Sequence, residues 1–210
     1  MLLIAAVLVG SVALGYAVGG RLLNLAQVRV RLWWLAVVAL ALQVAPLPKS
    51  WSADAGFAVL EASFLLLIVF GLANIRLAGF ALILIGVLMN VLVVSLNRGM
   101  PVTRHALVAS HQEDSLRELE RGGTKHHLAG PGDRLLPLAD VIAIGRPVNQ
   151  IVSAGDLVTY AGVAWFLVRA MRRGSRAARA RGAHRPGSRP TAPLGQAPPR
   201  TRARPSGTGP

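Results

Sequence analysis

Five segments of the chain are runs of apolar residues separated by short polar stretches. They cover residues 2–19, 32–47, 55–73, 77–96 and 151–168. A helix needs about 20 apolar residues to cross about 30 Å of hydrocarbon, and soluble domains do not carry several runs of this length. The pattern therefore predicts an all-α membrane protein, built as a bundle of about five transmembrane helices within residues 1–170.

Two polar segments lie outside these runs. Residues 97–150 form a long loop, which we expect to be partly helical because Thr103 can cap one short helix and residues 110–113 fit the capping box of a second. Residues 171–210 consist largely of Arg, Pro, Gly, Ala and Ser, which bury too little apolar surface to fold. They predict a disordered basic tail at the C-terminus.

The net charge of +14 belongs mainly to this tail, which holds ten arginines and no acidic residue. The charge therefore does not indicate a folded nucleic-acid interface, and without interleaved aromatic residues we expect no specific nucleic-acid partner. Anionic lipid headgroups are a possible partner of the tail. The chain has no cysteine, which excludes disulfides, thiolate metal sites and cysteine nucleophiles.

The basic residues near the ends of the spans predict an orientation. Arginines at 21, 29, 31, 76 and 169 fall on one side together with the tail, and the other side has Lys49, Arg98 and Arg104. Because cytoplasmic loops carry the excess of Lys and Arg, the N-terminus is expected outside and the C-terminus in the cytoplasm. The 97–150 loop is then external. With 21 arginines against 2 lysines, the composition is typical of a GC-rich bacterium, which predicts a multi-pass protein of the bacterial cytoplasmic membrane.

Four polar residues near the outer ends of the spans form a candidate polar cluster: Glu61, Asn90, Arg98 and Asp156. Ionisable residues within membrane helices are costly and indicate function by default. They could bind a substrate or ion, form a structural ion pair, or be hydrated at the interface. For Asp156, the expected donor is a backbone N–H at the start of the last helix, with Ser153 as its cap and Arg98 assisting.

The sequence shows no signature of a catalytic or metal site. His126 and His127 are adjacent, so on a helix they would not face one metal ion. No nucleophile elbow, phosphate loop or dinucleotide fingerprint occurs. We therefore predict no catalytic residue, no metal and no cofactor.

Three short elements resemble a family of uncharacterised bacterial multi-pass membrane proteins, known as a domain of unknown function. They are Asn97-x-Gly99-Met100-Pro101-Val102, Leu135-x-Pro137-Leu138-x-Asp140 and Val152-Ser153-x-Gly155-Asp156. The resemblance covers roughly residues 1–170 and implies a membrane protein without supplying an activity. Ala154 departs from the aliphatic residue usual in these relatives. The candidate loop motif comprises Asn97, Gly99, Met100, Pro101, Asp140, Ser153 and Gly155, and its segments are expected to meet in space.

The leading interpretation is a non-enzymatic membrane component that binds a ligand or an interaction partner through its external loop. Its partners would be the lipid bilayer and either another membrane protein or further copies of the chain. The alternative is a small transporter or a membrane-embedded enzyme that uses the candidate polar cluster in the outer half of the bundle. An enzyme would need those groups to converge beside a cavity.

Overall fold

A computed structural model describes residues 2–46, 48, 51–121 and 125–183, with side chains throughout except at Ala53 and 173–183. Five helices occupy the five apolar runs: α1 (Leu2–Ala17), α2 (Trp33–Val44), α3 (Ala53–Ala73), α4 (Phe80–Asn97) and α7 (Ala154–Ala183). Two shorter helices lie in the polar segment, α5 (Arg104–Ala109) and α6 (Glu113–Glu120). The protein is thus mostly helical, as the pattern predicted.

Among the residues that the structure describes, two helices are long and apolar enough to cross a membrane, over Asp54–Ala73 and Phe80–Asn97. Helices α1 and α2 are apolar but shorter. The expected number of five spans is therefore not established by length and composition, and it remains a proposal.

The last apolar run differs from the prediction at both ends. Ile151 and Val152 belong to a strand, and the helix begins only at Ala154, because Ser153 caps it. At the other end α7 continues to Ala183, so it includes residues 171–183, which the sequence pattern assigns to the tail. The rest of the predicted tail, residues 184–210, lies outside the described residues.

The long helices pack in the order α2, α3, α4, α7 and α1, each against the next. Helices α4 and α7 are antiparallel and approach closely at two pairs of glycines. A Cβ on Gly155 would lie 2.6 Å from the carbonyl oxygen of Gly86, and one on Gly162 would lie 2.8 Å from that of Gly79. The two pairs are about two helical turns apart, so backbone meets backbone along this length.

Residues 98–121 and 125–153 form a small unit, here called the loop domain, on one end of the bundle. It contains four short strands that the all-α prediction did not include. Strand β1 (Met100–Val102) pairs in parallel with β2 (His126–Leu128), and β3 (Ile142–Ile144) pairs antiparallel with β4 (Gln150–Val152). Three-residue strands are too short for hydrophobic periodicity to identify.

The helices of the loop domain agree with the sequence only in part. Thr103 caps α5 as expected, its hydroxyl accepting from the N–H of Ala106 at 3.3 Å. The predicted capping box of α6 is wrong, because the Ser110 hydroxyl donates instead to the carbonyl of Leu107. His111, at φ +56°, turns the chain between the two helices, and α6 begins at Glu113 without a side-chain cap.

The bundle and the loop domain share one apolar core. Leu60, Phe64 and Val87 lie in a buried cluster with residues at the end of α4 and in the loop domain: Val93, Val94, Met100 and Ala139. The loop domain is therefore packed against the bundle through this shared core.

Candidate functional site

A closed hydrogen-bond network joins α4 to the start of α7. The Asn90 side-chain amide donates to Asp156 Oδ1 at 2.8 Å, and the Ser153 N–H donates to Asp156 Oδ2 at 3.1 Å. In return the Asp156 N–H donates to Ser153 Oγ at 3.0 Å, and that hydroxyl donates to Asn90 Oδ1 at 2.9 Å. The expectation that a local backbone N–H donates to Asp156 is confirmed. The second donor to this carboxylate is the side-chain amide of Asn90.

The other two residues of the candidate polar cluster, Glu61 and Arg98, have partners outside this network. Glu61 accepts a hydrogen bond from the Ser95 hydroxyl at 2.6 Å. Arg98 pairs with Asp54 at 2.5 Å, and its guanidinium lies 5.5 Å from the centre of the Phe57 ring. Arg98 therefore does not assist Asp156. Within the described residues, the structure joins only Asn90 and Asp156 of the four.

The candidate loop motif fixes how the loop domain lies on α4. The side chain of Asn97 binds the backbone of Arg134 twice, accepting from its N–H at 2.7 Å and donating to its carbonyl at 2.9 Å. The Asp140 N–H donates to the Pro101 carbonyl at 3.1 Å, so the segments that carry these two residues meet. Ser153 instead bonds to Asn90 of α4. Gly99 has φ +151°, and a Cβ there would lie 3.2 Å from the Lys125 carbonyl oxygen. The positive φ favours glycine at position 99, and little space is left there for a Cβ.

Lys125 connects the loop domain to the end of α2. Its ammonium donates to three backbone carbonyls, those of Leu42 at 2.6 Å, Gln43 at 3.0 Å and Ala45 at 2.8 Å. These carbonyls are left without intrahelical partners at a helix C-terminus, where a cation is also favoured by the helix dipole. Lys125 is only 7% exposed, and burial lowers its pKa. All three of its donors are used.

A cavity of about 1240 Å³ lies between the C-terminal end of α2 and the loop domain. One wall is the backbone end of α2, from Gln43 to Pro46, and the opposite wall carries the charged side chains of α6. The remaining surface comes from strands β1 and β4, with His126 and Asp140 between them. Apolar and polar groups thus face each other across the cavity, as is usual in ligand sites. The charged and ionisable lining residues are Asp114, Arg117, Glu118, Arg121, Lys125, His126 and Asp140.

His126 and Asp140 form a pair in this cavity, with His126 Nε2 4.0 Å from Asp140 Oδ2. The Asp140 side chain is 14% exposed, and burial raises its pKa to about 8, with the negative charge of Asp156 acting in the same direction. His126 keeps 46% of its side chain exposed toward the cavity; burial of the rest lowers its pKa, and the Lys125 ammonium adds to that effect. At pH 7 both groups are therefore mainly neutral, and Asp140 can donate a hydrogen bond.

The adjacent histidines have different partners, because neighbouring residues of a strand face opposite sides. His127 Nε2 lies 2.9 Å from Asp133 Oδ1, whereas His126 faces Asp140. In the described part of the chain, no three side chains of His, Asp or Glu come together as metal ligands would.

Sequence reasoning missed Lys125, the cavity role of His126 and the glycine pairs of α4 and α7. No local signal identifies Lys125, since its partners lie about 80 residues away at the end of another helix. The glycines could have been noticed, because Gly79 and Gly86, like Gly155 and Gly162, are spaced by two helical turns.

The ionisation of Asp140 predicts a pH dependence of stability. The carboxyl is ionised above about pH 4 in the unfolded chain but stays protonated to about pH 8 when folded. The unfolded state thus binds fewer protons between these values, so stability should fall as the pH rises from 4 to 8. Asp140→Asn should flatten this decline, raising stability at pH 8 by a few kcal/mol and leaving it nearly unchanged at pH 4. Denaturant unfolding of both proteins across this range measures the difference; parallel pH profiles would contradict it.

These features define a class: a helical protein with helices able to cross a membrane, capped at one end by a small domain beside an open cavity of mixed polar and apolar lining. The chain belongs to DUF5317, a family of unknown function. The sequence model of this family matches residues 27–168. The matched region includes α2, the loop domain and the first half of α7, and so contains the cavity and the Asn90–Asp156 network. The expected membership of a domain of unknown function is confirmed. The comparisons found no matching curated protein and no matching solved structure.

Proposed function

We propose that the chain is a multi-pass membrane protein that holds a ligand in the cavity of an external loop domain. The proposed membrane location rests on the exposure of the two most apolar helices, α3 and α4. Only 28% of the span in α3 and 33% of the span in α4 is buried inside the protein. A core helix of a soluble protein would be mostly buried, and neither helix stands at the N-terminus as a signal sequence does. Their exposed leucines require an apolar solvent, which a bilayer provides.

The arginine distribution supports the orientation when it is placed on the fold. The backbone of Arg31 at the start of α2 exchanges hydrogen bonds with the side chain of Asn74 at the end of α3. The N–H of Arg21 donates to the carbonyl of Met171 in α7 at 3.0 Å. Arg21, Arg31 and Arg76 thus belong to the end of the bundle opposite the loop domain. Because this end carries the arginines, it is the cytoplasmic end. Helices α1, α3, α4 and α7 cross the membrane, and the shorter α2 enters from the cytoplasmic side and stops within the outer half.

Cysteine labelling tests this topology, since the natural chain contains no cysteine. Arg146→Cys, in the loop domain, should react in intact cells with a maleimide that cannot cross membranes. Arg76→Cys, between α3 and α4, should react only after permeabilisation. Detergent-solubilised samples control for reactivity, because both positions should then be labelled. Labelling of Arg76→Cys in intact cells, or protection of Arg146→Cys there, would overturn the orientation.

The cavity favours ligand binding over membrane-embedded chemistry. It combines apolar walls with several charged groups and two neutral, hydrogen-bonding groups, His126 and Asp140. Transport or catalysis by the candidate polar cluster receives no support from this geometry, because Glu61 and Arg98 have separate partners. Asn90 and Asp156 are used in capping and packing α7.

Occupancy of the cavity can be measured at Ser115, which lines it from α6. A maleimide should label Ser115→Cys several-fold more slowly in native membranes than in protein that has been washed extensively in detergent, because the bound molecule covers the thiol. Glu113→Cys is the matched control, since it lies on the same helix outside the cavity and should show no such difference. Equal rates for Ser115→Cys in both preparations would contradict a resident ligand.

A further inference from the structure

The length of α2 places the inner end of the cavity within the outer half of the bilayer, below the lipid headgroups. Helix α2 has 12 residues, which gives a length of about 18 Å. The hydrocarbon layer is about 30 Å thick. Since the Arg31 end of α2 lies at the cytoplasmic surface, its other end stops within the outer half of the bilayer. The Lys125 ammonium satisfies the carbonyls there, and the cavity begins at the same point.

The cavity borders the exposed apolar surface of α2. This helix packs on α3 and leaves its other face uncovered, with Val37 56%, Leu40 49% and Val44 61% exposed. Val44 belongs to this apolar surface and also lines the cavity. An occupant can therefore have an apolar part lying along α2 and a polar part in the cavity.

The charges of the cavity fit a phosphate-bearing polar part. Arg121 makes no ion pair with any described residue, whereas Arg117 is engaged by Asp114 at 3.3 Å. Arg121 is thus the cation available to a phosphate oxygen. Protonated Asp140 would not repel an anion and can donate to it, and Glu118 on the same wall could accept from a headgroup amine or hydroxyl.

We propose that the cavity binds a glycerophospholipid of the outer leaflet, with its phosphate on Arg121 and its acyl chains along the exposed face of α2. This inference rests on the proposed membrane location and ligand site, and it specifies the ligand class. The lipid enters sideways over the short helix, without leaving the bilayer. The volume of the cavity accommodates a headgroup and the glycerol region beneath it.

Native mass spectrometry of the full chain, released from bilayer nanodiscs containing phosphatidylethanolamine and phosphatidylglycerol, tests the proposal. The natural chain should retain one phospholipid per molecule at collision energies that remove loosely held lipid. Arg121→Gln should lower its affinity for this lipid about tenfold, because it removes a charge-assisted hydrogen bond. Ser115→Trp should also lower retention, because it places a large side chain inside the cavity. Arg98→Gln and Glu113→Trp are the matched controls, one a basic residue and one an α6 residue outside the cavity, and both should retain lipid.

Each other outcome overturns the proposal. Equal retention by all variants would show that the lipid binds elsewhere on the bundle. Absence of retained lipid in the natural chain would exclude a phospholipid. If soluble glycerophosphoethanolamine displaced the lipid at equal concentration, the acyl chains would contribute nothing and the ligand would be a free phosphate compound. In all three cases protection of Ser115→Cys in native membranes would still identify a ligand site, so the two proposals fail separately.

Discussion

Lys125→Met should destabilise the folded protein by about 3 kcal/mol or more, among the largest effects of any single substitution in the loop domain. Methionine replaces the aliphatic stem of Lys125 but leaves the carbonyls of Leu42, Gln43 and Ala45 without a donor. A hydrogen bond to a charged group contributes about 1.5–3 kcal/mol, and each buried acceptor left unpaired adds a cost. Equilibrium unfolding of the detergent-purified protein, followed by circular dichroism, measures the loss.

The matched control for Lys125 is another basic residue of the loop domain. Arg104 pairs with Glu120 at 2.6 Å, but the two side chains are 62% and 42% exposed. Arg104→Met should therefore cost less than about 1 kcal/mol, as exposed ion pairs usually do. A similar small loss for both variants would mean that water reaches the end of α2 and that Lys125 does not fix the loop domain to it.

Gly86→Ala should separate α4 from α7 and cost about 3 kcal/mol, because the added methyl group would meet backbone. A Cβ at Gly86 would lie 2.7 Å from the N atom of Thr159 and would also press on the carbonyl oxygen of Gly155. Overpacking normally costs about 1–3 kcal/mol, and the upper end applies where the opposing atoms cannot rotate away. Thermal unfolding should show the loss, and the Asn90–Asp156 hydrogen bond should weaken with it.

Gly10→Ala provides the control for helical glycines in the same protein. A Cβ at Gly10 in α1 would have no neighbouring atom within 4 Å. The substitution should therefore be neutral, or stabilising by up to about 1 kcal/mol through helix propensity. If Gly86→Ala were tolerated as well as Gly10→Ala, the close packing of α4 and α7 would be incorrect.

The apolar runs predicted where the five long helices lie, because each helix carries its own signal of length and hydropathy. The start of α7 shows the limit of that signal. Ile151 and Val152 look like the first residues of a span, yet they pair with Ile142 and Ala143 in a strand. The polar side chains of Ser153 and Asp156 decide the helix start, as the prediction of Ser153 as the helix cap anticipates.

The candidate site was less predictable, because its contacts join distant parts of the chain. Asn90 and Asp156 could be placed at a similar depth from helix length alone, and they do meet. Arg98 was expected beside Asp156 for the same reason, but Asp54 pairs with it near the start of α3. The cavity depends on the end of α2 lying beside β2, for which the sequence contains no local pattern.

The packing of α4 on α7 has a consequence for biosynthesis. A chain made from its N-terminus contains Gly79, Gly86 and Asn90 before any residue of α7 exists. At about 5–20 residues per second, the roughly 60 residues between Asn90 and the start of α7 take about 3–12 s to translate. During that interval the Asn90 amide has neither Asp156 nor Ser153 as a partner, and the glycine face of α4 is uncovered. Under the proposed topology, this face of α4 must therefore be shielded by the insertion machinery or by α3 until α7 has been made.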